Sequence, residues 1–213
     1  MAAPSEKNEI IPPISGKFQS ILIFGPPGSG KGTLGKFLSS AGSHFHLSSG
    51  DIFRGISPDS PAGKLFQSYA SKGHLLPDDA TVAIWRNYVH GLIATNRYIP
   101  NEQFLLLDGI PRTKAQAEIM DEYIDVKKII VLEAAQPDDL IQRMRRRAMI
   151  ERRPDDADEN VLKTRMEVYM AETTKVLSHY PEEKISRFNA LQRPLEVLRD
   201  VLIELSSLLS SSK

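Results

Sequence analysis

The chain has 213 residues, of which 41% are hydrophobic and 25% charged, and its 27 basic residues balance its 27 acidic residues. This composition is typical of a globular protein with a substantial core, and the zero net charge indicates no general attraction to nucleic acid or membranes. No segment approaches the 18 apolar residues of a membrane-spanning helix, and the lack of cysteine excludes disulfides and cysteine-bound zinc.

The first 17 residues contain three prolines and two glutamates but no arginine and no long apolar segment. This pattern argues against a secretory signal and against a mitochondrial transit peptide. We therefore expect residues 1–17 to be a flexible tail on a cytoplasmic protein, a location that the lack of cysteine also fits.

A short apolar segment at residues 21–24 predicts a buried strand, and it leads directly into GPPGSGKGT at residues 25–33. The glycine at position 25, followed by Gly30 and Lys31, has the spacing of a Walker A loop, and a helix is predicted over residues 33–40. Such a loop turns its N–H groups around a phosphate, while the helix N-terminus and the lysine add positive charge. A glycine-rich turn without a ligand is the alternative, which the position between strand and helix disfavours.

The residue after the loop lysine is Gly32, where most such loops have Ser or Thr, and Thr33 comes one place later. In most proteins of this class that hydroxyl binds Mg²⁺ directly. We therefore expect the metal to be held by phosphates, waters and more distant carboxylates.

Further strands are predicted at residues 44–47, 104–107, 128–132 and 184–188, with helical patterns between them. Strands that alternate with helices indicate an α/β protein with a parallel sheet and helices on both faces. Ligands bind such sheets beyond the carboxyl ends of the strands, where all the candidate motifs lie.

The second strand leads into Ser49, Asp51 and Arg54. Ser49 or Asp51 could cap the next helix, or Arg54 could face a phosphate. Residues 54–77 lack a clean strand and are rich in Gly and Pro, which predicts an inserted helical flap. Asp78 and Asp79 begin the following helix, and one or the other is interpreted as its cap.

The strand at 104–107 ends in Asp108, which is followed by Gly109 and Arg112. A strand-end cap is one interpretation of Asp108, but its expected proximity to the glycine-rich loop favours Mg²⁺ binding through water. The planar guanidinium of Arg112 is suited to bind a phosphate with two parallel hydrogen bonds.

Seven arginines lie in the segment from Arg143 to Arg165, counting both ends. A solvated basic face or an RNA-binding patch is one interpretation, but no aromatic residue lies between these two to stack on a base. The apolar pattern at residues 161–177 predicts a helix with Tyr169 and Met170 in the core. A terminal helix is predicted from Pro194.

These motifs, in this order, resemble the adenylate kinases and their nucleoside monophosphate kinase relatives over residues 18–209. The segments concerned are GPPGSGKGT, LSSGD with Arg54, DGIPRT with Gln116, and the arginine cluster. The short gap from Arg147 to Arg153 resembles the short-lid form without zinc. Ile110 departs from the usual Phe, and Ser49 is neither the Thr nor the Ala usual in the family. An insertion near residue 157 leaves Arg152 as a competitor of Arg153.

The resemblance implies a three-layer P-loop NTPase fold with a five-stranded parallel sheet. It divides the chain into a core (18–47, 78–147 and 160–213), an insert that binds the monophosphate (48–77) and a short lid (148–159). It implies reversible, in-line phosphoryl transfer from MgATP to AMP, giving two ADP, in nucleotide homeostasis. We expect a monomer with no nucleic acid or membrane partner.

The resemblance also assigns individual roles. The catalytic residues it implies are Lys31, Arg112, Arg147, Arg153 and Arg165. Those implied to bind ATP are Gly28, Ser29, Gly30, Lys31, Gly32, Thr33, Arg143, Arg147 and Gln192. Those implied to bind AMP are Ser49, Arg54, Leu75, Leu76, Gly109, Arg112, Gln116, Arg153 and Arg165. Mg²⁺ is expected at Asp108 and Asp51 through water.

Three other functions are compatible with parts of the pattern. A UMP/CMP kinase has the same fold, but Thr113 and Gln116 match the AMP branch, in which the glutamine amide offers a donor and an acceptor to adenine. A nucleotide-binding regulator without turnover would lack phosphate-binding residues, and none is missing. An RNA-binding protein would bind RNA in a salt-dependent manner unaffected by ATP.

Overall fold

The computed structural model describes residues 16–42, 44–135, 137–151 and 158–210. Within them, one sheet is formed in which neighbouring strands are parallel. Its strands are β1 (Phe18–Phe24), β2 (His44–Ser48), β3 (Phe104–Asp108), β4 (Ile124–Glu133) and β5 (Ile185–Asn189). The spatial order β2-β3-β1-β4-β5 puts the strand that precedes the glycine-rich loop at the centre.

Helices connect the strands along the chain. The α-helices of the described residues are α1 (Lys31–Ala41), α2 (Ser49–Arg54), α3 (Pro61–Ala70), α4 (Asp78–Ala94), α5 (Lys114–Met120), α6 (Pro137–Glu151), α7 (Glu159–Val168), α8 (Thr174–Val176) and α9 (Pro194–Ser210). A π-helix (Tyr169–Thr173) joins α7 to α8, and 3₁₀ turns follow at Leu177–His179 and Glu182–Lys184.

The two faces of the sheet have separate apolar cores, as the alternation of side chains along β1 requires. Leu22 and Phe24 join a core with Trp85 of α4 and residues of α5. Ile21 and Ile23 point to the other face. That second core is completed from α1 and α9 by Leu34, Leu38, Val197, Val201 and Leu205. The predicted three-layer α/β fold with a five-stranded parallel sheet is therefore confirmed.

Two strands begin earlier than their apolar segments suggest. β1 begins at Phe18 and β4 at Ile124, where buried Ile124 and Val126 alternate with half-buried polar residues. Ser20 pairs with Val126 while Ile21 pairs with Lys128, so Lys127 is an extra residue at a β-bulge. The prediction missed this part because it followed only the continuous apolar run.

The prediction that Tyr169 and Met170 lie in the core is wrong. Met170 is 61% exposed, and Tyr169 is half-buried and belongs to neither apolar core. The π-helix inserts extra residues into the turn and rotates the buried stripe away from the 3.6-residue period. The stripe continues through Thr173 and Val176, both of which are buried.

The segment between β2 and α4 carries α2 and α3. Ser60 caps α3 by accepting a hydrogen bond from the Gly63 N–H, and Pro61 occupies its first turn. The segment returns through Gly73, whose φ is +73° and whose backbone packs on α7. A Cβ at Gly73 would lie 3.0 Å from the Val161 carbonyl oxygen and 3.3 Å from Cγ of Arg165. The segment therefore contacts α7 across one side of the sheet's carboxyl edge.

Some predicted features lie outside the described residues. These are residues 1–15 of the predicted tail and positions 152–157 of the predicted lid, which include both Arg152 and Arg153. The described ends of that lid are the last turn of α6 and Asp158, whose carboxylate caps α7. No helix in the described ranges combines the length and apolar character needed to cross a membrane.

Candidate functional site

A cleft of about 550 Å³ lies beyond the carboxyl ends of the strands. Its lining brings together predicted residues from segments far apart in the chain. They are Gly28, Ser29, Gly30, Lys31, Gly32, Thr33, Ser49, Asp51, Arg54, Leu75, Asp108, Gly109, Arg112, Arg143, Arg147, Arg165 and Gln192. Leu76 and Gln116 line a side cavity that shares Ser49, Leu75 and Arg112 with the cleft. Of the predicted site residues, Arg153 alone lies outside the described part of the chain.

The glycine-rich loop wraps tightly between β1 and α1. Gly28 and Gly30 have φ angles of +83° and +95°, in the left-handed region that favours glycine. A Cβ at Gly28 would also lie 2.7 Å from the Leu140 carbonyl oxygen of α6. The loop is closed by a hydrogen bond from the Ser29 N–H to the Pro26 carbonyl, and α1 begins at Lys31. The N-terminus of α1 therefore faces the cleft, as phosphate binding requires.

The ammonium of Lys31 folds back over this loop. Its Nζ donates to the carbonyl oxygens of Gly25 at 2.7 Å and Pro26 at 3.1 Å. Burial lowers the pKa of Lys31, and the Asp108 carboxylate opposes this effect. The positive charges of Arg112, Arg147 and Arg165 also lower it, and together these effects bring the pKa to about 8. Four cationic side chains thus converge on one position, which favours binding of a highly charged anion.

Asp108 is buried at the end of β3, and the Nε2 of His46 lies 3.6 Å from its Oδ2. Burial would raise the pKa of Asp108, but the His46 imidazole and the charges on Lys31 and Arg112 outweigh it and hold the pKa below its ordinary value. A Cβ at Gly32 would lie 3.5 Å from the same Oδ2, so the carboxylate lies beside the start of α1. The sequence did not identify His46, since a strand residue gives no sign of facing the neighbouring strand's carboxylate.

These donors fit a hydrated Mg²⁺. The ion prefers carboxylate oxygens and keeps several waters, so it is bound by one or two carboxylates together with substrate phosphates. Asp108 offers such a group beside the loop, and Asp51 offers a second at the rim, where its side chain is 56% exposed. No cluster of three or more potential protein ligands for an ion is found among the described residues.

Arg112 is held at the edge of the cleft by residues that directly follow β2 and β3. Its Nε donates to the Gly109 carbonyl oxygen at 2.7 Å, and the Ser49 hydroxyl donates to the same oxygen at 2.7 Å. Ser49 is therefore not a helix cap, and its hydroxyl supports the loop after β3. Arg54 pairs with Asp51 at 2.7 Å, so these two predicted residues contact each other at the rim.

Gln116 is buried and its side-chain amide is hydrogen-bonded on both sides. The Arg112 N–H donates to Oε1 at 2.8 Å, and Nε2 donates to Oδ1 of Asp78 at 2.9 Å. The Thr113 hydroxyl also donates to Oδ1 of Asp78, at 2.7 Å. The interpretation of Asp78 as a helix cap is wrong, because Pro77 occupies the cap position and the carboxylate bonds to α5 instead.

The other side of the cleft is formed by α6 and the segment after β5. Arg143 donates to the Ala190 carbonyl oxygen at 2.7 Å, and Gln192 donates to Asp200 at 3.3 Å. By contrast, Arg145 points away from the cleft and pairs with Glu159 on the surface. Arginines of one cluster are therefore divided between the cleft and the solvent.

Comparison with known proteins is consistent with this site. The family model described as "Adenylate kinase" matches residues 23–185. The chain is 36% identical over 180 residues to the adenylate kinase of Flavobacterium psychrophilum, covering 81% of this chain and 88% of that protein. It is 38% identical over 165 residues to that of Thermobifida fusca, covering 75% and 83% respectively. It is 36% identical over 172 residues to that of Corynebacterium diphtheriae, covering 78% and 88%.

Proposed function

The chain belongs to the adenylate kinase family, and from that membership we propose that it transfers the γ-phosphoryl group of MgATP directly to the phosphate of AMP. The observation that carries the proposal is the convergence of Lys31 with Arg112, Arg147 and Arg165 in one cleft. Two nucleotides that meet through their phosphates bring a large negative charge together, and this cluster is suited to neutralise it.

The donor is held by the loop and by Lys31. N–H groups of the loop and the N-terminus of α1 bind its phosphates, and Lys31 turns from the Gly25 and Pro26 carbonyls to the β- and γ-phosphates. Arg143 and Gln192 contact the donor from the far side. The bond from Arg143 to the Ala190 carbonyl fixes the segment against which the donor base packs.

The acceptor is held on the other side of the sheet's centre. Arg112 and Arg54 bind the phosphate of AMP, and Arg112 is already oriented by its bond to the Gly109 carbonyl. Ser49, Leu75 and Leu76 line the cavity for the nucleoside, and Gln116 reads the base from the cavity's inner wall. The Nη2 of Arg112 also donates to the Ser49 hydroxyl at 3.4 Å, and the planar guanidinium can bind a phosphate with two parallel hydrogen bonds.

The reaction itself needs no nucleophilic side chain, because an anionic oxygen of AMP attacks the γ-phosphorus in line with the leaving ADP oxygen. The protein positions the two phosphates and stabilises the charge of the group in transit. Arg147, Arg165 and Arg153 supply that charge. Asp108 and Asp51 would hold Mg²⁺ through water, and the bound ion would neutralise negative charge on the phosphate oxygens.

Two movable segments complete the proposal. Residues 48–77 act as the acceptor-binding insert and residues 148–159 as a short lid over a core formed by residues 18–47, 78–147 and 160–213. Closure of both excludes water, which would otherwise take the phosphoryl group and hydrolyse ATP.

The test is a steady-state assay with MgATP and AMP, CMP, UMP or GMP as acceptor, together with ATP hydrolysis in the absence of an acceptor. We expect AMP to exceed each of the others at least tenfold in kcat/KM, which is about 1.4 kcal/mol of transition-state free energy. Equal use of UMP would contradict the proposed acceptor, and ATP hydrolysis as fast as transfer would contradict direct transfer.

A further inference from the structure

The buried amide of Gln116 has a fixed orientation. Its Oε1 faces the Arg112 N–H at 2.8 Å and its Nε2 faces the Asp78 carboxylate at 2.9 Å. A backbone N–H can only donate and a carboxylate can only accept, so a reversed amide would meet one like group on each side. Two buried polar contacts would be lost at once, at a cost that no other described partner offsets.

Asp78 is itself held in place to perform this role. Its Oδ1 also accepts a hydrogen bond from the Thr113 hydroxyl. The oxygen of that hydroxyl in turn accepts a hydrogen bond from the backbone N–H of Gln116. These bonds join the first residue of α4 to the first turn of α5, and both ends of the Gln116 side chain belong to the network. The neighbouring Asp79 is exposed and takes no part in it.

The fixed orientation of the Gln116 amide leaves one hydrogen-bond acceptor and one donor for a base. Among the described residues, one lone pair of Oε1 and one hydrogen of Nε2 have no partner, and the residue lines the acceptor cavity. Adenine presents a donor at N6 and an acceptor at N1, which this pattern matches. Hypoxanthine has the same ring size but presents an acceptor at C6 and a donor at N1, which is the reverse.

We propose that Asp78 is a specificity-determining positioning residue, which locks the Gln116 amide in the orientation that accepts 6-amino purines and rejects 6-oxo purines. The inference rests on the proposed function, in which Gln116 reads the acceptor base. A site built to hydrogen-bond one pattern rejects its reverse strongly, because the buried groups are left unpaired. Without the carboxylate, only the Arg112 N–H opposes reversal of the amide.

The experiment compares kcat/KM for AMP and IMP as acceptors of MgATP. Asp78→Asn keeps the shape of the side chain but can either accept or donate, so it tolerates both amide orientations. We expect the AMP/IMP ratio to fall at least tenfold in this variant, through a higher KM for AMP and a lower KM for IMP. Asp79→Asn is the matched control, which removes the same charge one residue away and should leave the ratio within twofold.

Asp78→Ser, a smaller neutral residue that can also donate or accept, repeats the test if Asp78→Asn does not fold. Unfolding by urea is measured for each variant, because a residue that only supports the fold would change stability without changing the ratio. An AMP/IMP ratio within twofold of the unchanged protein in folded Asp78 variants would overturn the inference. An equal fall in Asp79→Asn would also overturn it, since loss of charge alone would then explain the result.

Gln116→Ala separates this inference from the proposed function. If Gln116 reads the base, the ratio collapses in this variant, and adding Asp78→Asn to it produces no further fall. A collapsed ratio in Gln116→Ala with an unchanged ratio in Asp78→Asn would refute the role of Asp78 alone. An unchanged ratio in Gln116→Ala would refute the proposed base recognition, and the role of Asp78 with it.

Discussion

Binding of ATP should draw a proton onto Lys31 from the solvent. Burial and three nearby arginines lower the pKa of this lysine to about 8 in the nucleotide-free protein. In the proposed function, phosphates of the donor bring several negative charges to the same place, so they should favour the charged ammonium and raise the pKa again. The protein must then take up protons wherever Lys31 is partly neutral before binding, and affinity must fall as the pH rises through that range.

The size of the effect follows from the lowered pKa. With a pKa of about 8, about 0.1 of the lysine is neutral at pH 7 and about 0.75 at pH 8.5. We therefore expect uptake of about 0.1 proton at pH 7 and about 0.7 at pH 8.5 for each MgATP bound. The pKa of Lys31 is about 8 in the folded protein and 10.5 in an unfolded chain, so unfolding takes up a proton between these pH values. The unfavourable contribution of Lys31 to the free energy of unfolding therefore becomes smaller as the pH rises through this range.

Calorimetric titration with MgATP in two buffers of different ionisation enthalpy, at each pH, measures this uptake directly. Lys31→Arg is the matched variant, because its guanidinium stays charged throughout and should take up no proton at this position. Lys114→Met, which removes an exposed lysine of α5, should behave as the unchanged protein. Uptake that is the same at both pH values, or that persists in Lys31→Arg, would refute the role given to this side chain.

Arg112→Ala should lower kcat/KM for AMP about 10²- to 10⁴-fold, because two charge-assisted hydrogen bonds to a phosphate contribute about 1.5–3 kcal/mol each. Arg112→Lys should lose less, Arg145→Ala should lose nothing, and a loss below fivefold in Arg112→Ala would remove that residue from the mechanism. Gly35→Ala should lower the free energy of unfolding by about 1–3 kcal/mol, since its Cβ would lie 2.2 Å from the His46 ring. Gly91→Ala, in an open helical position, should raise it by about 0.5–1 kcal/mol, and urea unfolding in which both changes have the same sign would contradict this account.

The parts of the fold that the sequence predicted are those with a local signal. The glycine-rich loop between strand and helix, the strand that ends in Asp108 and the buried faces of β1 all depend on neighbouring residues. The start of β4 was missed because its first residues alternate in polarity, and pairing with β1 decides where the strand begins. Met170 was misplaced because a π-helix changes the period that the prediction assumed.

Among the site residues too, some positions could be predicted from neighbouring residues, whereas others depend on contacts with distant parts of the chain. Lys31 and Arg112 lie in motifs that directly follow predicted strands, so their positions could be predicted from the sequence. The role of Asp78 depends on Thr113 and Gln116, which lie 35 and 38 residues further along the chain. An aspartate at the start of a helix usually acts as a cap, and only the packing of α4 against α5 gives this one another partner.

The order of the strands has a consequence for how substitutions can alter nucleotide recognition in this protein. Groups proposed for the acceptor come from the β2–β3 side of the central strand, whereas those proposed for the donor base follow β4 and β5. The loop that follows β1 and the arginines above it serve both halves, and the acceptor side also packs on α7 through Gly73. Substitutions that retune one recognition pocket therefore need not disturb the other, and a redesign of acceptor choice can be confined to half of the sheet.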